Sequence, residues 1–129
     1  MLRIATIGTS MITDDFIQVV NANDQAAFVG TLSRDADRGA AFTAEHGGER
    51  NFTALDELAS ADDVDAVYIG SPNALHYEQA LACIAGGKHV IVEKPFCATE
   101  AQALEVFRAA EAAGVVALEA MRPLHDPAF

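Results

Sequence analysis

Short, mainly apolar runs that do not alternate with polar residues recur through the chain, and each is followed by a stretch of helical spacing. The runs are residues 2–7, 28–32, 51–52, 66–69, 89–92 and 115–118. A strand with no polar face is buried on both sides, which in a sheet means helices above and below it. Between the runs, residues 12–20 read as a helix, and an Ala-rich stretch runs to Gly47 and Gly48. Thr53 is placed to cap a brief helix carrying Leu55 and Leu58. Tyr77, Ala80, Leu81 and Ile84 repeat at i, i+3, i+4 and i+7, one face of an amphipathic helix. Thr99 with Gln102 forms a capping-box start for a last helix, expected to bury Ala103, Phe107 and Ala110 and to stop at Gly114. Strands alternating with helices of ordinary length are joined by right-handed crossovers into a parallel sheet. The expectation is an α/β fold, a doubly wound parallel six-stranded sheet of order 3-2-1-4-5-6.

Length and charge narrow the ligands. At 129 residues the chain fits one domain with one core. Eight Lys+Arg against nineteen Asp+Glu leave a formal charge of −11, a surface that repels nucleic acid and anionic membranes. An anionic ligand therefore has to be held locally, by backbone N–H groups and a few placed cations. The opening MLRIATIG lacks the pattern of a signal peptide, and no apolar run approaches ~20 residues, so a soluble cytoplasmic domain is expected. Cys83 and Cys97 read as reduced packing residues.

In such a sheet ligands bind beyond the carboxyl ends of the strands, at the switch point between strands one and four. After strand one comes Gly8-Thr9-Ser10-Met11-Ile12-Thr13; a full dinucleotide fingerprint would carry glycine at 8, 10 and 13, and only Gly8 is present. Ser10 keeps a side chain where a pyrophosphate normally meets bare backbone, Thr13 is expected to loosen the helix–strand contact, and Asp14 and Asp15 would oppose a phosphate that they faced. After strand two, Ser33-Arg34-Asp35 and Arg38 offer a hydroxyl and two guanidinium groups suited to a 2′-phosphate. A helix start with two solvated arginines is the plainer reading, and Asp35 holding ribose hydroxyls would admit NAD. After strand four, Asn73 reads equally as a helix cap, and His76 falls in the first turn of the next helix. After strand five, Glu93-Lys94-Pro95 puts two charges at the end of a buried strand, where they need partners or a function.

Taken together, Tyr68-Ile69-Gly70-Ser71-Pro72-Asn73, then His76, then Ala85-Gly86-Gly87-Lys88-His89-Val90-Ile91-Val92-Glu93-Lys94-Pro95 closely resemble the Gfo/Idh/MocA oxidoreductases. The likeness extends from Ile7-Gly8-Thr9-Ser10-Met11-Ile12-Thr13 to Glu119-Ala120-Met121-Arg122-Pro123. It implies a Rossmann NAD(P)-binding domain over residues 1–120, with residues 121–129 starting the crossover to a larger C-terminal domain that binds substrate and makes a homo-oligomer. The whole enzyme would then be a dehydrogenase or reductase of sugars, polyols or related carbonyls, using NADP in preference to NAD, and this piece alone would be inactive. Carried over by position, Gly8, Thr9, Ser10, Met11 and Ile12 would face the pyrophosphate. Ser33, Arg34 and Arg38 would hold the 2′-phosphate. Ser71, Pro72, Asn73 and His76 would line the cleft toward the nicotinamide. Glu93 would take the nicotinamide ribose, Lys94 the ribose and the substrate oxygen, and Arg122 the far wall. The resemblance also implies a cis peptide before Pro95.

The chemistry so implied is hydride transfer to or from a carbinol carbon, with the Lys94 ammonium stabilising charge on oxygen. A domain that senses NAD(P) without catalysis would use the same cleft. An S-adenosylmethionine-dependent methyltransferase would normally end strand two with an acid, and Ser33-Arg34 together with Glu93-Lys94-Pro95 argue against it.

Overall fold

The computed structural model describes residues 1–120. Its strands are β1 (Leu2–Ile7), β2 (Ala26–Leu32), β3 (Arg50–Phe52), β4 (Ala66–Ile69), β5 (His89–Glu93) and β6 (Ala117–Ala120). Between them lie helices α1 (Met11–Asn21), α2 (Ala36–Glu45), α3 (Leu55–Ala59), α4 (His76–Ala85) and α5 (Glu100–Ala113). The sheet runs β3-β2-β1-β4-β5-β6, every pair parallel, as the alternation of runs and helices requires. Ile4, Phe28 and Ala66 on one face pack under Ile17 and Val20 of α1 and Phe42 of α2. Ala5, Ile7, Val67, Ile69, Val90 and Val92 on the other are covered by α3, α4 and α5 through Leu58, Ala80, Cys83, Ile84, Val106 and Ala110. Burial pushes the Cys83 thiol up to about 12, so it is an inert part of this layer.

Three local expectations are corrected. α3 is capped by Ala54, not Thr53; the Thr53 hydroxyl donates instead to Glu57, 3.3 Å away. Asn73 does not cap α4 but opens a 3₁₀ turn, Asn73–Leu75, and α4 starts at His76 without a side-chain cap. Phe107 is 45% exposed, because the residue of α5 facing the sheet is its neighbour Val106; Phe107 stacks on Phe96 with centroids 4.8 Å apart. The Thr99 cap is present, its hydroxyl accepting from the Gln102 N–H at 3.2 Å.

Below the sheet, Asp65 precedes β4 and accepts from Arg3 on β1 three times, from Nε, Nη2 and the backbone N–H, at 2.9–3.0 Å. The side-chain bonds and then the backbone bond hold the Asp65 carboxyl at about 2 instead of the usual 3.8. A depressed folded-state value contributes stability that is complete above the unfolded value and lost as pH falls through the folded one. Asp65→Asn is therefore expected to flatten the thermal midpoint's dependence on pH between about 4 and 2. Melting both proteins across that range checks it; parallel profiles would remove Asp65 from the acid response.

Candidate functional site

The carboxyl ends of the strands form one rim, and the switch point between β1 and β4 opens it. There Gly8 adopts φ +105°, and a Cβ on it would lie 2.8 Å from the Gly70 carbonyl oxygen. Its N–H donates to Leu32 O at 3.0 Å, and its carbonyl accepts from the Thr31 hydroxyl at 3.2 Å. The Gly70 N–H donates to Ile7 O at 2.9 Å, so the β1 turn is bound on both sides. The expected loosening at Thr13 does not occur. Thr13 is fully buried, and a Cβ on Gly70 would lie 2.5 Å from its hydroxyl; glycine at the end of β4 supplies the room that a third fingerprint glycine would have supplied in α1.

Ser10 stands at the N-cap of α1 in an extended conformation and makes no side-chain cap bond, its hydroxyl lying 3.2 Å from that of Thr13. The first N–H groups of this 11-residue helix have no side-chain acceptor, the arrangement that favours an anion at a helix start. Asp14 does not face the rim: its carboxylate accepts from Gln18 Nε2 at 2.7 Å and lies against His46.

A cavity of about 530 Å³ follows the rim. Gly8, Thr9, Ser10, Ser33, Arg34, Arg38, Ser71 and Pro72, all expected at the site, line it together with Asp35. Asp35 caps α2, accepting from the N–H groups of Asp37 and Arg38 at 3.1 Å each, while Ser33 Oγ accepts from the Asp35 N–H at 3.2 Å. Arg34 and Arg38 are exposed, and their guanidinium groups have no ion pair or hydrogen-bond partner among the described residues. One end of the cavity therefore carries two uncommitted guanidinium groups, in a chain of strongly negative charge.

Met11, Ile12, Asn73, His76, Glu93 and Lys94 lie outside the cavity lining. His76 is buried between the two rim loops, with Nε2 2.8 Å from Ser71 O and Nδ1 2.9 Å from Pro95 O. Glu93 ends β5 and accepts from the hydroxyl of buried Tyr68 on neighbouring β4, whose ring stacks on Phe16 at 4.0 Å. Lys94 is exposed, and the peptide after it is cis, as the resemblance implied. The Phe96 N–H beyond that turn donates to Glu119 Oε2 of β6 at 3.0 Å. Arg122 lies outside the described residues, as does the segment 121–129.

Sequence reasoning missed Thr53, Ala54 and Leu55, which line the cavity from the end of β3, and Gln79, which accepts from the Ser71 hydroxyl. The strand-end rule applied to β3 would have found the first three. It missed Tyr68 and Glu119 as supports because each lies inside a strand and acts across the sheet.

These residues fit a phosphorylated dinucleotide: a glycine turn with no room for a side chain, an unfilled helix N-terminus, and a pair of free guanidinium groups one strand away. Comparison with known proteins agrees. Residues 2–120 match the family described as oxidoreductases with an NAD-binding Rossmann fold. The scyllo-inositol 2-dehydrogenase (NADP(+)) of Bacillus subtilis (strain 168) is 43% identical over the whole chain, and the 1,5-anhydro-D-fructose reductase of Ensifer adhaerens is 41% identical over 90% of it. The chain spans only 39% and 35% of those two proteins. A 3-ketoreductase from Actinomadura kijaniata, crystallised with NADP and TDP-benzene, superposes with a TM-score of 0.92 at 33% identity, over 98% of this chain and 40% of that one. No described helix is long and apolar enough to cross a membrane. With its sheet order, its glycine turn and this match from the first strand to the last, the chain belongs to the Gfo/Idh/MocA oxidoreductase family as that family's NAD-binding Rossmann domain.

Proposed function

We propose that this chain is the nucleotide-binding part of a reductase or dehydrogenase that moves hydride between NADP and a carbonyl or hydroxyl carbon of a sugar- or polyol-like substrate. The observation that carries the reading is the 530 Å³ cavity across the β1–β4 switch, ending at the free guanidinium groups of Arg34 and Arg38. The nicotinamide supplies the redox chemistry when bound. The residues of this chain bind and orient it. The Gly8–Ser10 turn and the N-terminal N–H groups of α1, through Met11 and Ile12, hold the pyrophosphate. Ser33, Arg34 and Arg38 hold the 2′-phosphate. Ser71, Pro72 and Asn73 border the nicotinamide half of the cleft, with His76 behind them joining the loops. Glu93, oriented by Tyr68, takes the ribose hydroxyls, and the Lys94 ammonium faces the substrate oxygen on which charge develops.

The substrate class and the preference for NADP are supported by what the inositol dehydrogenase, the anhydrofructose reductase and the 3-ketoreductase are named for. A second domain, which in the whole protein would complete the site and form the homo-oligomer, is supported by the exposed Leu104 and Phe107 on α5, Val116 before β6 and Leu118 within it.

Titration with NADPH and NADH, read by nicotinamide fluorescence, tests the cofactor assignment. NADPH is expected to bind more tightly. Arg34→Ala with Arg38→Ala is expected to weaken NADPH by roughly 10- to 100-fold, the loss of charge-assisted bonds to one phosphate. The same pair should move NADH by about threefold or less. Equal affinities for the two cofactors in the unmodified chain would overturn the role of both arginines.

A further inference from the structure

We propose a site for a zinc-class divalent cation formed by Asp14 of α1 and Glu45 and His46 at the end of α2. None of the three lines the cofactor cavity. A carboxylate oxygen of Asp14, one of Glu45 and a ring nitrogen of His46 all lie within 4.8 Å of one another. The His46 side chain is 9% exposed, and its Nε2 is buried. That nitrogen is 2.8 Å from Asp14 Oδ1, yet it makes no hydrogen bond.

Close approach without a hydrogen bond means that the oxygen lies off the axis of the ring nitrogen. A shared ion demands this displacement. If nitrogen and oxygen both sit about 2.1 Å from one cation and 2.8 Å from each other, the oxygen is about 48° off the imidazole lone-pair axis. A proton on that nitrogen would then see an N–H···O angle of about 110°, in the range where hydrogen bonds fail. The same spacing sets the nitrogen–ion–oxygen angle at about 84°, the cis angle of a five- or six-coordinate ion rather than a tetrahedral one.

The neighbours hold the ligands in this attitude. Asp14 Oδ2 accepts from Gln18 Nε2 at 2.7 Å, leaving Oδ1 to face the imidazole. The His46 ring lies against Phe42 at 4.5 Å and edge-on to Phe28 at 6.4 Å, an apolar wall that directs Nε2 toward the two carboxylates. The His46 carbonyl accepts from Asn21 Nδ2 at 3.0 Å, tying the end of α2 to the end of α1. One imidazole and two carboxylates suit zinc, cobalt or nickel rather than magnesium or calcium, which take oxygen ligands throughout. Glu45 is exposed and free to swing onto the ion, and water would complete the shell.

The test is to strip the protein with chelator, titrate it with zinc chloride, and repeat with cobalt while recording the visible spectrum. One zinc per chain is expected, with a thermal midpoint raised by roughly 5 °C or more at saturation. Cobalt should give d–d bands without the thiolate charge-transfer absorption that Cys83 or Cys97 would produce. Glu45→Gln, at an exposed position that the fold does not depend on, and Asp14→Asn should each weaken zinc at least tenfold. Failure to bind one zinc, or binding that neither substitution weakens, overturns the proposal.

Discussion

Replacing Lys94 with alanine in the complete enzyme is expected to lower turnover by on the order of 10²–10³ while leaving the NADPH dissociation constant within about threefold. Lys94 is exposed at the end of β5 and forms no ion pair among the described residues, so its charge is available to a ligand. Its surroundings are braced on three sides. Tyr68 donates to Glu93 before it, Pro95 O lies 2.9 Å from His76 Nδ1 after it, and Glu119 holds the next N–H, that of Phe96. A charge held where water is excluded stabilises an alkoxide-like oxygen by several kcal/mol, and that interaction grows only as the carbinol C–H bond breaks or forms. The loss should therefore fall on kcat more than on binding. Steady-state kinetics beside cofactor titration separates the two, and near-normal turnover would remove Lys94 from the chemistry.

The braces explain which parts of the site were legible in the sequence. Strand ends announce themselves, because a buried parallel strand has to stop and the residues just past it have nowhere to go but the rim. Gly8, Ser33, Arg34 and Ser71, which line the cavity, all stand where that rule points. The supports were not, because Tyr68 and Glu119 sit within strands and read simply as strand residues, while each acts on the neighbouring strand or the loop beyond it. The helix starts show the same limit. Thr99 has the cap that its spacing promised, but Thr53 and Asn73, equally good cap residues, are passed over because the chain turns one residue later at Ala54 and through a 3₁₀ turn before His76. Burial on α5 went astray at Phe107 because Ala103 and Ala110 share a helical face with Val106 as well as with Phe107, and Val106 is the one that meets the sheet.

The same contrast between local rule and tertiary context governs the glycine turn, where only one of three fingerprint glycines is present. Gly8→Ala is expected to cost about 2–4 kcal/mol of stability, a fall of roughly 10 °C in the thermal midpoint. Two effects add. At φ +105° any Cβ is strained, and this one would sit 2.8 Å from Gly70 O and 3.0 Å from Gly70 C, both backbone atoms that no rotamer change can move aside. Relief requires β1 and β4 to part at the rim, which displaces the start of α1 and should weaken NADPH by more than tenfold. Ser10 occupies a second fingerprint position, but its side chain is exposed and makes no cap bond, so Ser10→Ala should stay within about 0.5 kcal/mol. Thermal melts and cofactor titration of the two variants side by side distinguish a rim that depends on close approach at Gly8 from one that merely tolerates glycine. If Gly8→Ala melts with the unmodified chain and binds NADPH as tightly, the contact between the ends of β1 and β4 is not what shapes the site.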